Sequence, residues 1–355
     1  MRRAVVTAPG RISAEEVPEP ARPGPGEVAL DLHTVGICGG DVALLAGRNP
    51  LVSYPVVPGH ECVATVAEDP SGRLAGGTSV VVYPTLACGR CRACADDRPN
   101  NCAEMTVLGL SDPRGCLAER FVVPAAHAIP LPGDLGARFG ALVEPLAVAE
   151  HVADRSGIRP GDTVLVVGAG AIGSAVGLAA RARGASRVLF TDTLATRGGT
   201  LAALGFTDFA ASTGDGPVEW VRDTVGSVDV VFDTVTTSGT AAAATAVLAG
   251  GGRYVAVAAA KPGHRIELDY QAFYARELSL VASRNYTPAD FTAAIGRLER
   301  GEVDPTPLRT AVFGLGAVAD AFAELTGRPE RNVKVLLTRD ELVGSSPLLT
   351  SGSPS

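Results

Sequence analysis

The stretch GDTVLVVGAGAIGSAVGLAARARGASRVLFTD, residues 161–192, restricts the possible folds more than any other part of the chain. It contains an apolar strand at 164–167, a glycine-rich turn, an alanine-rich helix and a second strand at 188–190. The turn and the first helical turn hold Gly168, Gly170, Ile172 and Gly173. Glycines at this spacing allow a tight turn, close approach of the backbone to a pyrophosphate, and helix packing on the strand. The stretch therefore predicts a βαβ unit of a parallel sheet that binds a dinucleotide at the helix N-terminus.

The choice of dinucleotide rests on Asp192, which ends the second strand 19 positions after the last glycine of the turn. A carboxylate at this place can accept hydrogen bonds from both hydroxyls of an adenosine ribose and repels a 2′-phosphate. This predicts NAD rather than NADP. Arg197 is the contrary signal, because an arginine here can pair with a phosphate; it can equally be an exposed helix residue.

Alternating strands and helices continue beyond this unit, with further strand-like runs at 228–235, 250–260 and 278–286. Together they predict an α/β fold in which residues 147–286 form a doubly wound, Rossmann dinucleotide-binding domain. Residues 1–146 and 287–340 are richer in short β-like runs and predict a mainly β domain, into which the Rossmann domain is inserted. Residues 341–355 are rich in Ser, Pro and Gly, which predicts a disordered tail.

Four of the seven cysteines lie within CGRCRACADDRPNNC, at Cys88, Cys91, Cys94 and Cys102. This spacing lets a short loop bring four thiolates to one ion, and a closed shell of four sulfurs is typical of structural zinc. Two alternatives remain at this stage: surface cysteines in a polar loop, or an iron–sulfur cluster.

A second group of potential ligands is spread over three motifs: GICGGD with Cys38, VVPGHE with His60 and Glu61, and ALVEPLAVA with Glu144. Taken singly, each has an ordinary structural explanation, as a small buried thiol, a turn histidine or a solvated charge. Together, a thiolate, an imidazole and two carboxylates form the mixed ligand set of a catalytic zinc that keeps a position for substrate. The sequence thus predicts two zinc ions per chain.

Charge and hydropathy exclude several classes of function. The net charge is −7 and the pI is about 5.4, so the chain offers no basic face for a nucleic acid. No apolar run approaches the 18 residues of a membrane span, and the apolar run near the N-terminus is too short for a signal peptide. A cytoplasmic protein that binds neither nucleic acid nor membrane is expected.

In this order and spacing, GICGGD, PGHE, the cysteine cluster, EPLAVA, GAGAIG and Asp192 resemble the zinc-dependent medium-chain dehydrogenase/reductase family, in its sorbitol and threonine dehydrogenase branch. The resemblance covers residues 2–340. It implies a GroES-like β catalytic domain interrupted by a Rossmann domain, with an active site in the cleft between them. Members of the family form homodimers or homotetramers through the Rossmann sheet edge, and the run at 255–260 is a candidate edge strand.

The resemblance also assigns roles to residues. Cys38, His60 and Glu61 match the catalytic zinc ligands, Glu144 matches a carboxylate that approaches the same ion, and the four clustered cysteines match the structural zinc site. The implied reaction is hydride transfer between nicotinamide and a secondary alcohol or ketone polarised by zinc. Arg284, with Asn285, matches a loop that contacts cofactor or substrate, although a surface arginine is an equal alternative.

The chain departs from the family at two positions. Gly40 and Ala43 stand where most members have a hydroxyl residue and a histidine that carry the alcohol proton toward solvent. Either the proton leaves by another route, such as Glu61, Glu144, a water chain or a polar group of the substrate, or the enzyme no longer turns over simple alcohols. Loss of two side chains is also expected to enlarge the site. A polyhydroxylated substrate such as a polyol, sugar acid or aminocyclitol would suit that space. The alternatives are a ketone reductase acting on a sugar or aminoglycoside intermediate, and a non-catalytic protein that binds zinc and nucleotide.

Overall fold

The computed structural model describes residues 1–211, 216–258 and 263–343. Within this part of the chain the strands are β1 (Arg2–Ala8), β2 (Arg11–Glu16), β3 (Glu27–Gly36), β4 (Glu61–Glu68), β5 (Ser79–Val82), β6 (Thr85–Leu86), β7 (Thr106–Val107), β8 (Arg120–Pro124), β9 (Ala128–Pro130), β10 (Thr163–Val167), β11 (Arg187–Asp192), β12 (Phe209–Ala211), β13 (Val228–Asp233), β14 (Leu248–Ala256), β15 (Ser279–Ala282), β16 (Arg309–Gly314) and β17 (Lys334–Thr338).

The helices are α1 (Gly39–Leu45), α2 (Arg92–Ala95), α3 (Leu135–Phe139), α4 (Val143–Ser156), α5 (Ala171–Ala182), α6 (Arg197–Ala203), α7 (Gly216–Val225), α8 (Ser238–Val247), α9 (Tyr270–Ala275), α10 (Pro288–Glu299) and α11 (Val318–Gly327). Short 3₁₀ turns link several of these elements. Across the described ranges every helix is too short or too polar to cross a membrane.

The chain divides into two compact units. The first contains Met1–Glu144 and the segment from Arg309 onward, and its largest sheet has the order β16-β17-β3-β4-β5-β9, with β8 also beside β3. Neighbouring strands are antiparallel except for β16 and β17. Cys62 and Cys116, which match no ligand position, are fully buried in the aliphatic core of this unit. This is the predicted GroES-like β domain.

The second unit, Pro145–Leu308, is built on a sheet of six parallel strands in the order β12-β11-β10-β13-β14-β15. Its β10, α5 and β11 confirm the βαβ unit expected from the glycine-rich stretch. Gly168 has φ +92°, and a Cβ at Gly173 would overlap the carbonyl oxygen of Gly168. Both positions therefore require glycine, which explains how the helix begins so close to the strand. The sheet order is that of a Rossmann fold.

The predicted domain boundary at residue 287 differs from the division between the two units. Helix α10 belongs to the second unit. Asp290 on α10 accepts a hydrogen bond from buried His151 at 2.9 Å, and Arg297 on the same helix pairs with buried Glu150 at 2.6 Å. Each pair joins residues far apart along the chain. The unit therefore runs to Leu308 rather than to 286.

The expected edge strand is also corrected. The run at 255–260 begins within β14, which pairs with β13 on one side and with β15 on the other, so β15 is the last strand of the sheet among the described residues. Whether another strand pairs beyond β14 depends on tertiary contacts. The run at 255–260 contains no pattern that indicates it. The predicted tail, 341–355, begins within the 3₁₀ turn Asp340–Leu342, and its residues 344–355 lie outside the described residues.

Candidate functional site

Cys38 is positioned by the start of α1, where it is the N-cap residue. Its backbone N–H donates to Asp41 Oδ2 at 2.9 Å, and its sulfur accepts the N–H of Gly40 at 3.4 Å. These reciprocal bonds form a capping box. The thiol is therefore fixed at the N-terminus of α1.

Asp41 also connects this helix to His60. Its buried carboxylate accepts the N–H of Gly59 at 3.2 Å, and its Oδ1 lies 3.6 Å from His60 Nδ1. Burial lowers the pKa of His60, but its interactions with nearby Asp41 and Cys38, the charge of Asp41 above all, outweigh burial and raise this pKa well above its usual value. With Nδ1 toward a carboxylate, Nε2 is the nitrogen left to bind a metal.

The structure brings together three of the four predicted catalytic ligands. The ligand atoms of Cys38, His60 and Glu61 lie within 4.8 Å of one another, and all three belong to the first unit. Glu144 is buried at the first turn of α4 but does not belong to this close group. A thiolate, an imidazole and a carboxylate at this distance form a donor set that fits zinc.

Lys334 is a residue of this site that the sequence analysis missed. Its Nζ donates to both carboxylate oxygens of Glu61, at 2.6 and 2.7 Å, and to the carbonyl oxygen of Ile37 at 3.2 Å. Glu61 begins β4 opposite Gly36, and a Cβ at Gly36 would overlap the Glu61 carboxylate. The carboxylate thus reaches Lys334, on β17, through the space that a side chain at Gly36 would fill.

The charge of Lys334 is maintained by its neighbours. The side chain is buried, and burial lowers the pKa of its amine, but the charges of Glu61, Cys38 and Glu144 more than compensate and raise it. One cation therefore lies among three acidic groups. The signal for it was a lysine in the otherwise apolar run VKVLLT, which is too common a pattern to predict a functional contact.

The expected enlargement of the site is not found at Gly40. The two terminal methyl groups of Leu110 lie 3.3 Å from the position that a Cβ on Gly40 would take. The space that a relay side chain would occupy at position 40 is therefore partly filled by an apolar side chain from a different part of the chain. Size alone does not argue for a bulky substrate here.

The four clustered cysteines converge as predicted, with all four sulfurs within 4.8 Å of one another. The N–H groups of Arg90 and Cys91 lower the pKa of Cys88 to about 7, against the effect of desolvation. Desolvation and the hydrogen bond to Cys91 raise the pKa of Cys94 to about 11. Four adjacent thiolates repel one another, so this arrangement needs a cation to be fully ionised. Such a closed sulfur shell fits structural zinc.

The second unit contains a cavity of about 830 Å³ at the carboxyl ends of its strands. Its wall includes Gly168, Asp192, Thr193, Glu219, Arg222, Val235, Thr237 and Thr240. Asp192 accepts backbone N–H groups from Ala169 at 2.7 Å and from Leu194 at 2.8 Å. It therefore holds the glycine-rich turn as well as facing the cavity.

The other predicted cofactor residues do not line this cavity. Gly170 is the N-cap of α5, and Ile172 and Gly173 lie in its first turn. Burial lowers the pKa of Arg197, while the charge of Asp192 opposes that effect, so the two groups interact. Arg284 is exposed in the segment after β15. Of the predicted set, Gly168 and Asp192 line the cavity directly.

Comparisons with known proteins agree with this geometry. Residues 24–133 match the alcohol dehydrogenase GroES-like domain family, and residues 171–300 match the zinc-binding dehydrogenase family. L-idonate 5-dehydrogenase of Vitis vinifera is 33% identical to this chain, over 88% of each protein. Sorbitol dehydrogenase of Arabidopsis thaliana is 32% identical, again over 88% of each.

Solved structures show the same likeness over nearly the whole chain. An Escherichia coli alcohol dehydrogenase in complex with NADH is 27% identical, with a TM-score of 0.88 over 95% of this chain and 99% of that one. A zinc-binding dehydrogenase from Sinorhizobium meliloti bound to NADP is 29% identical, with a TM-score of 0.87 over 95% of this chain and 98% of that one.

Proposed function

Because the chain belongs to the zinc-dependent medium-chain dehydrogenase/reductase family, in its sorbitol dehydrogenase-like branch, we propose that it interconverts a secondary alcohol of a polyhydroxylated substrate and the corresponding ketone, with NAD(H) as hydride carrier. The observation that carries this proposal is the close group of Cys38, His60 and Glu61. These residues would hold zinc, which polarises the oxygen of the alcohol or ketone when bound. The four-cysteine group would hold a second, structural zinc.

The residues of the chain have separate tasks in this reaction. Asp41 orients the imidazole of His60, and Lys334 holds the carboxylate of Glu61, so that the ligands are preorganised around one point. Buried Lys334 also offsets part of the negative charge that Cys38 and Glu61 bring to the site. Preorganised ligands lose little entropy when metal and substrate bind.

Glu144 is the proposed acceptor of the alcohol proton. It is buried, it interacts electrostatically with Lys334, and it lies outside the close group of Cys38, His60 and Glu61. Acid–base assistance typically contributes about 100- to 10,000-fold. Glu144→Gln should lower kcat by an amount in that range while NAD affinity and zinc content stay close to wild type. A variant with unchanged kcat would exclude Glu144 from proton transfer.

NAD is proposed over NADP because Asp192 lines the cavity with a negative charge that a 2′-phosphate would meet. The polyhydroxylated substrate class is supported by the relatives, which are named for L-idonate and for sorbitol.

A substrate panel tests the proposed reaction directly. Sorbitol, L-idonate, L-galactonate and an aminocyclitol are compared with 2-butanol, following reduction of NAD by absorbance with zinc-loaded protein. We expect kcat/KM to be highest for a polyhydroxylated compound, and activity to disappear in Cys38→Ser, which removes a zinc ligand. Activity confined to 2-butanol would refute the substrate class, and activity retained in Cys38→Ser would refute the metal-dependent reaction.

A homodimer or larger homo-oligomer is proposed to form along β15. This strand is the last of its sheet within the described ranges, and Leu280 on it is 48% exposed. Tyr270 and Tyr274, on the preceding α9, are 78% and 77% exposed. An unpaired strand edge beside exposed aromatic side chains is suited to pairing with a second copy. Leu280→Glu should reduce the mass measured by light scattering to that of a monomer; an unchanged mass would place the interface elsewhere.

A further inference from the structure

A buried polar pair interrupts the apolar core of the second unit. Tyr254 on β14 and Asp233 at the end of β13 are both completely buried, and the Tyr254 hydroxyl donates to Asp233 Oδ2 at 2.8 Å. The surrounding core is formed by aliphatic residues such as Val231 and Leu165. A buried carboxylate is costly unless every oxygen is bonded, and a phenylalanine would pack as well as the tyrosine. The pair is thus an arrangement that packing alone does not require.

The second oxygen of Asp233 holds the loop that follows β13. Its Oδ1 accepts the N–H of Val235 at 2.9 Å and the N–H of Thr236 at 2.7 Å. Thr236 has φ +52°, a left-handed conformation that is unfavourable for a β-branched residue. Its hydroxyl donates to the carbonyl oxygen of Asp233 at 2.9 Å. Several bonds to one carboxylate residue therefore maintain a strained turn.

The strained turn forms part of the wall of the dinucleotide cavity. Val235 and Thr237 line that cavity together with Asp192 and Gly168. Thr234 donates its hydroxyl to the carbonyl oxygen of Val167 at 2.8 Å, immediately before the glycine-rich turn. Strain that is maintained by surrounding bonds is a recurring property of ligand-binding sites. Here both the strain and the buried carboxylate occur at the cavity.

We propose that Tyr254 is a positioning residue for cofactor binding. By holding Asp233, it keeps residues 234–237 in the conformation that forms the cavity wall beside the glycine-rich turn. The ligand that this wall serves is the ADP-ribose portion of an adenine dinucleotide, an identity that rests on the proposed function. Tyr254 is completely buried and does not line the cavity, so its effect passes through Asp233 and the backbone amides of the loop.

Tyr254→Phe tests this role, because it removes the hydroxyl and keeps the ring in the core. Binding of ADP-ribose and of NAD is measured by titration calorimetry; ADP-ribose lacks nicotinamide, so its binding does not depend on hydride transfer or on zinc chemistry. Both Kd values should rise by about 5- to 50-fold, since the bound loop conformation becomes a minor population. Turnover at saturating NAD and zinc content should stay within twofold of wild type.

Thr245→Val is the matched control. It removes another buried hydroxyl of the same unit, one that donates within α8 to the carbonyl oxygen of Ala241 at 2.8 Å. Hydrogen exchange then reports the loop directly: the amides of Val235 and Thr236 should exchange faster in Tyr254→Phe but not in Thr245→Val. If Tyr254→Phe leaves both exchange and the Kd for ADP-ribose unchanged, Tyr254 is only a core residue and the inference is wrong.

The two proposals can fail separately. If wild-type protein binds neither ADP-ribose nor NAD, the proposed cofactor is refuted, and the inference is refuted with it. If wild type binds both and Tyr254→Phe binds them equally well, the inference alone is overturned and the proposed function stands.

Discussion

Gly36 shows how one missing side chain shapes the candidate metal site. The Glu61 carboxylate passes over Gly36 to reach Lys334. A larger residue at position 36 would therefore block the ion pair. The result is a buried lysine that forms an ion pair with a buried glutamate. When one member of such a pair is removed, the other is left charged and unpaired in a medium of low polarity.

The ion pair predicts a large effect on stability. Lys334→Met should lower the free energy of unfolding of chelator-treated protein by about 3 to 5 kcal/mol, because Glu61 then lies buried without its partner. Urea denaturation measures this change. Lys334→Arg keeps the cation and should lose much less. The double variant Lys334→Met with Glu61→Leu should recover most of the loss; if it is as unstable as the single variant, the pair is not the cause.

Asp192 predicts the choice of cofactor. Asp192→Asn removes the negative charge and keeps an oxygen that can still accept one of the two backbone N–H groups, from Ala169 or Leu194. The preference for NAD over NADP should fall by about tenfold or more, since like charges in contact cost several kcal/mol. Asp192→Gly should weaken both cofactors as well, because the glycine-rich turn loses its anchor. Tighter binding of NADP than of NAD by wild-type protein would contradict the proposed role of this charge.

At the scale of single elements, the sequence predicted those features that depend on residues close together along the chain. Strand β10, helix α5 and strand β11 follow from apolar runs and glycines that are adjacent in sequence, and the four cysteines lie within one short loop. The assignment of α10 failed because its fixing contact, from His151 to Asp290, spans 139 residues. Lys334 was missed for the same reason, since 273 residues separate it from Glu61. A single sequence contains no pattern that links positions so far apart.

Helix α10 provides a test that depends on pH. Asp290 accepts the N–H of Thr287 at 2.7 Å as part of a capping box and also pairs with His151. Burial raises the pKa of Asp290, but the bonds to His151 and Thr287 prevail and lower it below its usual 3.8. The stabilisation that the charged Asp290 carboxylate contributes to the fold is therefore complete above pH 3.8. It is lost as the pH falls through the lowered pKa of the native carboxyl.

Asp290→Asn should accordingly cost about 1 to 2 kcal/mol of stability near pH 7, where the carboxylate is charged. The difference from wild type should shrink as the pH is lowered below about 3.8, where Asp290 takes up a proton first in the unfolded chain and, at lower pH, in the native protein. Urea denaturation of chelator-treated protein between pH 3 and 7 measures both quantities without interference from metal. A difference that stays constant over this range would mean that the charge of Asp290 contributes nothing.

At the scale of the whole molecule, two ligand groups in the first unit predict two zinc ions per chain. Their donor sets differ: four cysteine sulfurs in one group, and Cys38, His60 and Glu61 in the other. A closed sulfur shell has no open coordination position at which a chelator can attack, whereas a catalytic site keeps one for substrate. The four-cysteine site should therefore release its metal more slowly to EDTA.

Elemental analysis of the purified protein tests this count. Wild type should contain two zinc ions, and Cys38→Ala and Cys88→Ala should each contain one, having lost different ions. In Cys88→Ala the remaining zinc should leave rapidly in EDTA, while in Cys38→Ala it should leave slowly. Cys116→Ala is the control, because Cys116 is a buried core thiol outside both groups, and it should keep both ions. Iron in place of zinc, or a single zinc that survives both substitutions, would refute the two-site arrangement.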